Sequence, residues 1–210
     1  MKQEAPEPAS VETTVKNANR VVQRRNEICR AAVQLARRQG FGNVTTREIA
    51  REAGLNVATM YQYVRSKEDV VFLACQQNIA AIRGEPNDTH LEPIARLRDR
   101  YFVLIDAVDE RLHEVTFVYQ ESLTLTGHYR EEVKAGDEAL VDHFEEAIIN
   151  AVSDQATVPH TRLVARQMVE SGYLWANKNW SLRGEVTKDE FAHGTWTMFA
   201  RGLQLEGEKK

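Results

Sequence analysis

The segment from residue 40 to residue 71, GFGNVTTREIAREAGLNVATMYQYVRSKEDVV, constrains the fold most strongly, because helix starts and helix stops alternate along it at short intervals. Thr45 precedes an apolar helical pattern and is followed three residues later by Glu48, which is the spacing of a capping box. Gly54 is placed to end that helix, and Asn56 is placed to cap the next one. The pattern predicts two short helices joined by a tight turn.

Longer helical patterns flank these two short helices. Apolar residues recur at helical spacing from residue 19 to residue 39, and Gly40 is placed to stop this first helix. The third helix is predicted over residues 57–64. A fourth is predicted to begin at Ser66, where Asp69 repeats the capping-box spacing. Two short helices on a longer first helix predict a helix-turn-helix.

Positive charge is concentrated in this part of the chain. Between Lys16 and Lys67 there are eleven Lys and Arg residues against three Glu, a net charge of +8. The whole chain carries −4, so the remaining 158 residues carry −12. A basic segment on an otherwise acidic chain is typical of proteins that bind a polyanion, and together with a helix-turn-helix it favours DNA.

The polar residues of the second and third helices have the chemistry that DNA recognition requires. The hydroxyl groups of Thr46, Thr59 and Tyr63 suit phosphates, whereas the side chains of Arg47 and Gln62 are long enough to reach base edges. Small residues at the start of the third helix allow close approach to a groove, and a lysine at the start of the fourth helix favours a phosphate. The predicted DNA-binding residues are Thr46, Arg47, Asn56, Val57, Ala58, Thr59, Tyr61, Gln62, Tyr63 and Lys67.

The rest of the chain also shows helical periodicity, so an all-α fold is predicted. Helical patterns cover residues 93–109, 111–123, 129–152, 160–181 and 187–205, and turn-forming residues make a loop of 84–93. We expect a flexible leader at 1–18, a helix-turn-helix domain at 19–66 and a second helical domain at 67–210.

Three features of the sequence bear on the cellular compartment. No run of about 18 apolar residues occurs, and the N-terminal residues lack the apolar stretch of a signal peptide. Cys29 and Cys75 lack the spacing of a paired-cysteine motif, which favours buried free thiols in a reducing compartment. The sequence therefore predicts a cytoplasmic protein with no membrane partner.

Residues 40–71 contain a set of short motifs in a fixed order. They are Gly-Phe, a Thr before the second helix, Ile-Ala-x-x-Ala-Gly, Thr-Met-Tyr and Ser-Lys-Glu-Asp. With these motifs the segment resembles the tetracycline-repressor (TetR) family of bacterial regulators. The resemblance implies further helices that form a ligand-binding and dimerising domain. It places the dimer interface on the last two helices, which would form a four-helix bundle with those of a second copy.

Aromatic and polar residues cluster in two later segments, TFVYQES at 116–122 and SGYLWANKNWSLRG at 171–184. This mixture is the usual composition of a small-molecule pocket. The predicted ligand-binding residues are Phe117, Gln120, Trp175, Lys178, Asn179, Trp180 and Arg183, of which Lys178 and Arg183 suit an anion. The Trp-x4-Trp run and YQES also look similar to TetR relatives that sense acyl-CoA thioesters, so such a thioester is the candidate effector.

One alternative class, the di-iron carboxylate bundles, shares a pattern with this chain. The Glu-x-x-His element of those enzymes occurs at 110–113 and at 190–193, and Glu146 and Glu170 are formal candidates for the remaining ligands. Pairs at this spacing arise by chance in a chain of this composition, and a di-iron enzyme leaves the basic helix-turn-helix unexplained. No nucleophile, phosphate-binding or paired-cysteine metal motif appears, so no catalytic residue, metal ligand or cofactor is predicted.

An architectural DNA binder without an effector is a third alternative, but the second domain is longer than DNA binding and simple dimerisation require. We therefore expect a homodimeric repressor whose third helices lie in major grooves on the half-sites of a palindromic operator. A small molecule in the C-terminal domain would shift the dimer population away from the spacing that fits DNA.

Overall fold

The computed structural model of the chain describes residues 11–83, 91–152, 160–182 and 184–205. Within these ranges the regular structure is helical, which confirms the predicted all-α fold. The α-helices are α1 (Ala18–Gln39), α2 (Thr46–Glu52), α3 (Val57–Met60), α4 (Lys67–Ile82), α5 (Pro93–Glu110), α6 (Leu112–Glu121), α7 (Gly127–Ala151), α8 (Thr161–Leu182) and α9 (Lys188–Gly202). Single turns of 3₁₀ helix occur at Phe41–Asn43 and Ser122–Thr124. Most of the predicted loop, residues 84–90, lies outside the described ranges.

Contacts divide the chain into two compact units. The first contains Met1–Asn78 and Phe117–Ala135, and the second contains Ile79–Thr116 and Gly136–Lys210. This division differs from the expected boundary after residue 66, because the first unit also includes most of α4 and a later segment. The helix-turn-helix therefore shares its core with residues that are distant in the sequence.

Two aromatic pairs show how the first unit is assembled. Phe41, directly after α1, meets Phe117 of α6 edge to face, with the ring centroids 5.0 Å apart. Phe72 of α4 stacks on Tyr129 of α7 at a centroid distance of 4.2 Å. Aromatic contacts of this kind add to the free energy of simple apolar burial. They hold residues 117–135 against the helix-turn-helix.

The helix ends in this unit follow the capping signals of the sequence. The Thr45 hydroxyl accepts a hydrogen bond from the Glu48 N–H, and the Glu48 carboxylate accepts one from the Thr45 N–H, which completes the capping box of α2. Asn56 Oδ1 accepts a hydrogen bond of 2.7 Å from the Thr59 N–H at the start of α3. Gly40 ends α1 with a φ of 74°, in the left-handed region that glycine adopts without strain. These predicted caps are confirmed.

Helix α3 is shorter than the sequence predicts. It ends at Met60 rather than at Val64. The N–H of Gln62 donates to the Thr59 carbonyl at 3.1 Å, and the N–H of Tyr63 donates to the Met60 carbonyl at 2.9 Å. Hydrogen bonds that span three residues tighten the chain into a turn in place of a further helical turn.

The structure also corrects the expected flexible leader at 1–18. Residues 1–10 lie outside the described ranges, but Val11 is buried in the core of the first unit. The Val11 carbonyl accepts a hydrogen bond from the Arg25 guanidinium, and the Thr13 hydroxyl donates to the Gln62 carbonyl at 2.7 Å. Helix α1 begins at Ala18, within the expected leader. The segment 11–17 is therefore packed against the helix-turn-helix.

The core of the second unit is built mainly from α5, α7, α8 and α9, and the Tyr101 hydroxyl links three of them. This hydroxyl is buried and lies 2.9 Å from Ser171 Oγ and 2.5 Å from Thr195 Oγ1, so it links α5, α8 and α9. Burial raises the pKa of the Tyr101 phenol. Gly172 allows α8 to approach α5 closely, since a Cβ at this position would lie 3.3 Å from Val108 Cγ2. This core includes Trp175, one of the second cluster of predicted ligand residues.

Two further sequence expectations concern thiols and membrane spans. Cys29 and Cys75 are both free and buried, as predicted. None of the described helices combines the length and the apolar character that crossing a membrane requires.

Candidate DNA-binding and ligand sites

The start of α3 presents a polar surface next to α2. The Asn56 side chain is committed to capping this helix, and Val57 packs partly against the core of the first unit. Ala58 is exposed, as are Tyr61 and Gln62 in the turn that follows. The outer surface of this element therefore consists of one small residue and two polar side chains that are long enough to reach a groove.

A contact between two hydroxyl groups joins α2 to the turn after α3. Thr46 Oγ1 and Tyr61 Oη lie 3.3 Å apart. Arg47 follows Thr46 on α2 and is exposed, with no ion pair to any of the described residues. The two hydroxyl groups are suited to contacts with phosphates, and an exposed guanidinium can reach a phosphate or a base edge.

Tyr63 does not have the position expected for a phosphate contact. Its side chain is only 1% exposed, whereas that of Tyr61 is 46% exposed. Tyr63 and Val64 follow the buried Met60 by three and four residues, so all three lie on one inward face in the core of the first unit. The prediction that the Tyr63 hydroxyl faces DNA is wrong. The Tyr63 carbonyl instead accepts a hydrogen bond of 3.1 Å from Arg25 Nε.

Lys67 has an intramolecular role at the start of α4. Its ammonium group donates a hydrogen bond of 2.7 Å to the Phe41 carbonyl and lies 4.3 Å from the centroid of the Phe41 ring. These contacts connect the start of α4 to the end of α1. An ammonium carries three N–H groups, so this half-buried lysine retains donors for a phosphate.

Part of the positive charge in the basic segment is neutralised or buried. Arg24 pairs with Glu27, and Arg38 pairs with Glu52, both at 2.6 Å. Arg25 is partly buried, and desolvation lowers its pKa although Asp69 opposes the shift. Several other basic residues remain exposed on the described surface, namely Lys16, Arg20, Arg30, Arg37, Arg47 and Arg51.

The predicted ligand residues are divided between the two units. Phe117 belongs to the first unit, where its ring packs against Phe41, and Gln120 is exposed in the same unit. Trp175 and Asn179 belong to the second unit and are buried on α8. Phe117 thus lies in the core that contains the helix-turn-helix, in contact with Phe41.

The exposed end of α8 contains two more of these residues. Trp180 is 78% exposed, and Lys178 is exposed with its ammonium 5.8 Å from the centroid of the Trp180 ring. Residues four apart share one face of a helix, so Trp175 and Asn179 point inward together while Trp180 points to solvent. Arg183 lies outside the described residues. Within the described part of one chain, Lys178 and Trp180 are surface residues.

The buried face of α8 has polar groups in an apolar surrounding. Trp175 Nε1 donates a hydrogen bond of 2.9 Å to the Asp109 carboxylate, and its ring centroid lies 5.0 Å from that of Phe191. Asn179 is also buried, and its Nδ2 has no hydrogen-bond partner among the described residues. An apolar wall with a few polar groups is typical of small-molecule sites.

One functional candidate was missed by the sequence reasoning. Asn78 of α4 is completely buried, and neither atom of its amide group has a hydrogen-bond partner among the described residues. The sequence did contain a signal for this residue, since Asn78 is a single amide on the apolar face of the predicted fourth helix.

A cleft of about 410 Å³ also lies within the first unit. Its lining residues are Glu12, Arg65, Asp69, Thr126, Gly127, His128 and Tyr129. The buried Asp69 carboxylate accepts hydrogen bonds from the Arg65 N–H at 2.7 Å, from the Ser66 hydroxyl at 2.8 Å and from the Tyr129 hydroxyl at 3.3 Å. These partners give Asp69 a structural role at the start of α4.

The Glu-x-x-His pairs of the di-iron alternative do not converge. No group of three or more His, Cys, Asp or Glu side chains in the described part of the chain is arranged to hold a metal ion. Glu190 is committed to the capping box of α9, and His193 Nδ1 lies 2.8 Å from the Asp189 carbonyl. The geometry therefore gives this alternative no support.

Comparisons with known proteins agree with the arrangement of α1 to α4. Residues 28–74 match the model of the family described as bacterial regulatory proteins, tetR family. Over 188 residues the chain is 28% identical to the HTH-type transcriptional regulator HbdR of Aromatoleum sp. (strain CIB), which covers 87% of this chain and 81% of that protein.

Solved structures show the same fold over most of the chain. AibR in complex with isovaleryl coenzyme A and operator DNA is similar with a TM-score of 0.68 and 23% identity, covering 83% of this chain and 97% of that one. A regulatory protein of the tetR family from Rhodococcus RHA1 is similar with a TM-score of 0.74 and 13% identity, covering 86% and 97%. At these sequence identities the structural similarity is evidence for the fold alone.

Proposed function

We propose that this chain is a TetR-family transcriptional regulator, which binds a palindromic operator as a homodimer and responds to a small molecule. The family consists of DNA-binding regulators rather than enzymes. The operator sequence is read, in this proposal, by the residues around α3. The effector is an acyl-CoA thioester.

The observation that carries the DNA-binding proposal is the surface formed by α2 and the start of α3. Ala58 and Gln62 are exposed, Tyr61 is held by its contact with Thr46, and Arg47 extends from α2 without an ion pair to the described residues. A helix of this kind presents its N-terminal residues to base edges when it lies in a major groove. The exposed basic residues nearby supply the sequence-independent attraction to phosphates.

A selection from randomised DNA tests this readout. Wild-type protein is expected to enrich a palindrome, and the Arg47→Ala and Gln62→Ala variants are expected to relax base preference at defined positions. Each lost bidentate contact costs about 1–3 kcal/mol of discrimination. Fluorescence anisotropy with the selected site and with single-base variants measures this cost. Unchanged base preferences in both variants would show that neither side chain reads the sequence.

Exposed apolar residues on α8 and α9 support dimerisation through these helices. Leu163 and Leu174 of α8 are 54% and 48% exposed, and Met198 of α9 is 72% exposed. A Cβ at Gly194, one turn before Met198, would meet no atom within 4 Å, so another helix can approach closely there. Burial of these large apolar side chains against a second copy of the chain would be favourable, because it removes apolar surface from water. The family resemblance proposes the same two helices.

The buried face of α8 supports the small-molecule proposal. Trp175 and Asn179 lie one turn apart in the apolar core of the second unit, and the amide nitrogen of Asn179 is available for a ligand. AibR, which has the same fold, was solved with isovaleryl coenzyme A and operator DNA. Isovaleryl coenzyme A is therefore the first compound to titrate against the operator complex.

The proposed regulation is a shift between two populations of the dimer. A ligand changes operator affinity only if it binds one population more tightly than the other. A decrease of operator affinity on addition of isovaleryl coenzyme A would identify it as an inducer, and an increase would identify it as a co-repressor.

A further inference from the structure

Residues 11–14, which we call the N-terminal strap, bind the turn that follows α3. The Thr13 hydroxyl donates a hydrogen bond of 2.7 Å to the Gln62 carbonyl, and the Thr14 N–H donates a longer one of 3.4 Å to the same oxygen. The Thr13 hydroxyl also accepts a hydrogen bond of 3.2 Å from the Val15 N–H. One threonine side chain therefore connects the strap to the backbone of Gln62, which is a proposed base-reading residue.

Other contacts hold the strap in place without this hydrogen bond. Val11 is 5% exposed and belongs to the core of the first unit. The partly buried Arg25 guanidinium donates to the Val11 carbonyl and, at 3.1 Å, to the Tyr63 carbonyl. Glu12 and Arg65 also form an ion pair, but both side chains are largely exposed and solvent weakens their attraction. The strap therefore has a defined position beside the turn.

Helix α3 does not fix the position of Gln62 by itself. It contains only the four residues Val57–Met60, and so short a helix is not stable without tertiary contacts. Gln62 lies beyond its end, where carbonyl groups lack donors from the helix. The Gln62 N–H donates to the Thr59 carbonyl at 3.1 Å, whereas the Gln62 carbonyl accepts from the strap. The orientation of this peptide group thus depends on a residue 49 positions earlier in the chain.

We propose that Thr13 is a positioning residue for sequence readout, which holds Gln62 where its side-chain amide reaches a base edge. This inference rests on the proposed operator binding, and it adds a residue that acts through another one. A side chain that pairs with a base must be held within about 0.5 Å of its productive geometry, since hydrogen bonds weaken steeply with distance and angle. The positioning affects discrimination between bases, whereas contacts with phosphates supply the affinity that all sequences share.

Thr13→Val tests this role, because valine keeps the shape of threonine and removes both hydrogen bonds of the hydroxyl. Fluorescence anisotropy measures binding to the selected operator and to its variants at the base pair that Gln62→Ala relaxes. We expect Thr13→Val to lower the discrimination at this base pair about fivefold, the effect of one ordinary hydrogen bond. Affinity for DNA of unrelated sequence, and its salt dependence, should stay as in the wild type. Thr13→Ser keeps the hydroxyl and should discriminate like the wild type.

Thr124→Val is the matched control. Thr124 is also exposed, and its hydroxyl donates a hydrogen bond of 2.7 Å to the Glu121 carbonyl within the same unit. The loss of this hydroxyl should leave base preferences unchanged. A double variant gives a second check. Since Thr13 acts through Gln62, adding Thr13→Val to Gln62→Ala should cause no further loss of discrimination.

Three results would overturn the positioning role. They are unchanged discrimination in Thr13→Val, an equal loss of affinity for all sequences, and additive losses in the double variant. If the wild type selects an operator but Gln62→Ala relaxes no base pair, the positioning role falls and the proposed operator binding stands. If the wild type selects no sequence, the proposed operator binding fails and the positioning role fails with it.

Discussion

Replacing Lys67 separates an intramolecular role from a role in DNA binding. The Lys67 ammonium donates to the Phe41 carbonyl at 2.7 Å and lies 4.3 Å from the Phe41 ring centroid. Lys67→Ala removes both contacts together with the charge. Lys67→Gln removes the charge and keeps an N–H group that can reach the same carbonyl. Both variants lose the positive charge, but only Lys67→Gln keeps a hydrogen-bond donor. The two variants should therefore differ in their free energy of unfolding and lose the same electrostatic attraction to DNA.

The structure sets the size of the stability effect. A hydrogen bond from a charged donor contributes about 1.5–3 kcal/mol, and a cation–π contact contributes about 0.5–1 kcal/mol near the surface. The half-buried position and the side-chain entropy regained on truncation reduce the sum, so we expect Lys67→Ala to lower the free energy of unfolding by about 2 kcal/mol. For a chain of this size that corresponds to a decrease in Tm of about 4–8 °C. Lys67→Gln should lose about half as much.

The DNA effect is measured separately, from the salt dependence of operator binding. Each phosphate that a lysine neutralises contributes about 0.9 to the slope of log K against log salt concentration. If Lys67 contacts a phosphate in the complex, both variants should flatten the slope by about one unit and weaken binding to all sequences alike. Lys134→Ala, which removes an exposed lysine outside the basic segment, should leave the slope unchanged.

Two results would refute this reasoning. An unchanged slope in both variants, with a lower Tm for Lys67→Ala, would show that Lys67 only holds α4 against the end of α1. An unchanged Tm in Lys67→Ala would show that the contact with Phe41 contributes nothing measurable to stability.

Three further predictions concern the core, the effector site and the dimer. Burial raises the pKa of Cys29 and Cys75 to about 12, so native protein at pH 8 should resist alkylation by iodoacetamide while denatured protein reacts. The folded state holds these protons more tightly than the unfolded state, so stability should decrease as the pH rises from about 9 towards 12. Trp175→Phe loses the indole N–H and should weaken the response to isovaleryl coenzyme A while operator affinity without ligand stays within a few-fold; equal responses would remove Trp175 from the site. Met198→Glu should shift the protein towards monomer in sedimentation velocity, whereas Leu123→Glu, an exposed position in the first unit, should not; a stable dimer in both would exclude α9 from the interface.

Local signals predicted the helices and their ends closely. The capping box of Thr45 and Glu48, the cap at Asn56 and the stop at Gly40 each depend on atoms within four residues of one another. Such short-range hydrogen bonds form wherever the local sequence allows them, so adjacent residues encode them. The family resemblance of residues 40–71 rests on the same segment.

The candidate sites were predicted less completely, because they depend on which side chains are buried. Gln62 and Arg47 are exposed as a DNA-reading role requires, but Tyr63 is buried. The buried positions Met60, Tyr63 and Val64 lie three and four residues apart, so the inward face of this segment includes Tyr63 and leaves Tyr61 exposed. On α8, helical spacing alone did not show that Trp175 is buried and Trp180 is exposed.

By itself the sequence determined an all-α chain, the caps at Gly40, Thr45 and Asn56, and a basic helix-turn-helix. Only the tertiary structure decided that residues 11–17 pack on that element, that Phe117 joins the core around Phe41, and that Asn78 is buried with no hydrogen-bond partner among the described residues. The physical reason is the distance along the chain between the partners. Phe41 and Phe117 are 76 residues apart, and their contact exists only when the intervening helices have packed, since apolar burial is non-directional and has no local signature.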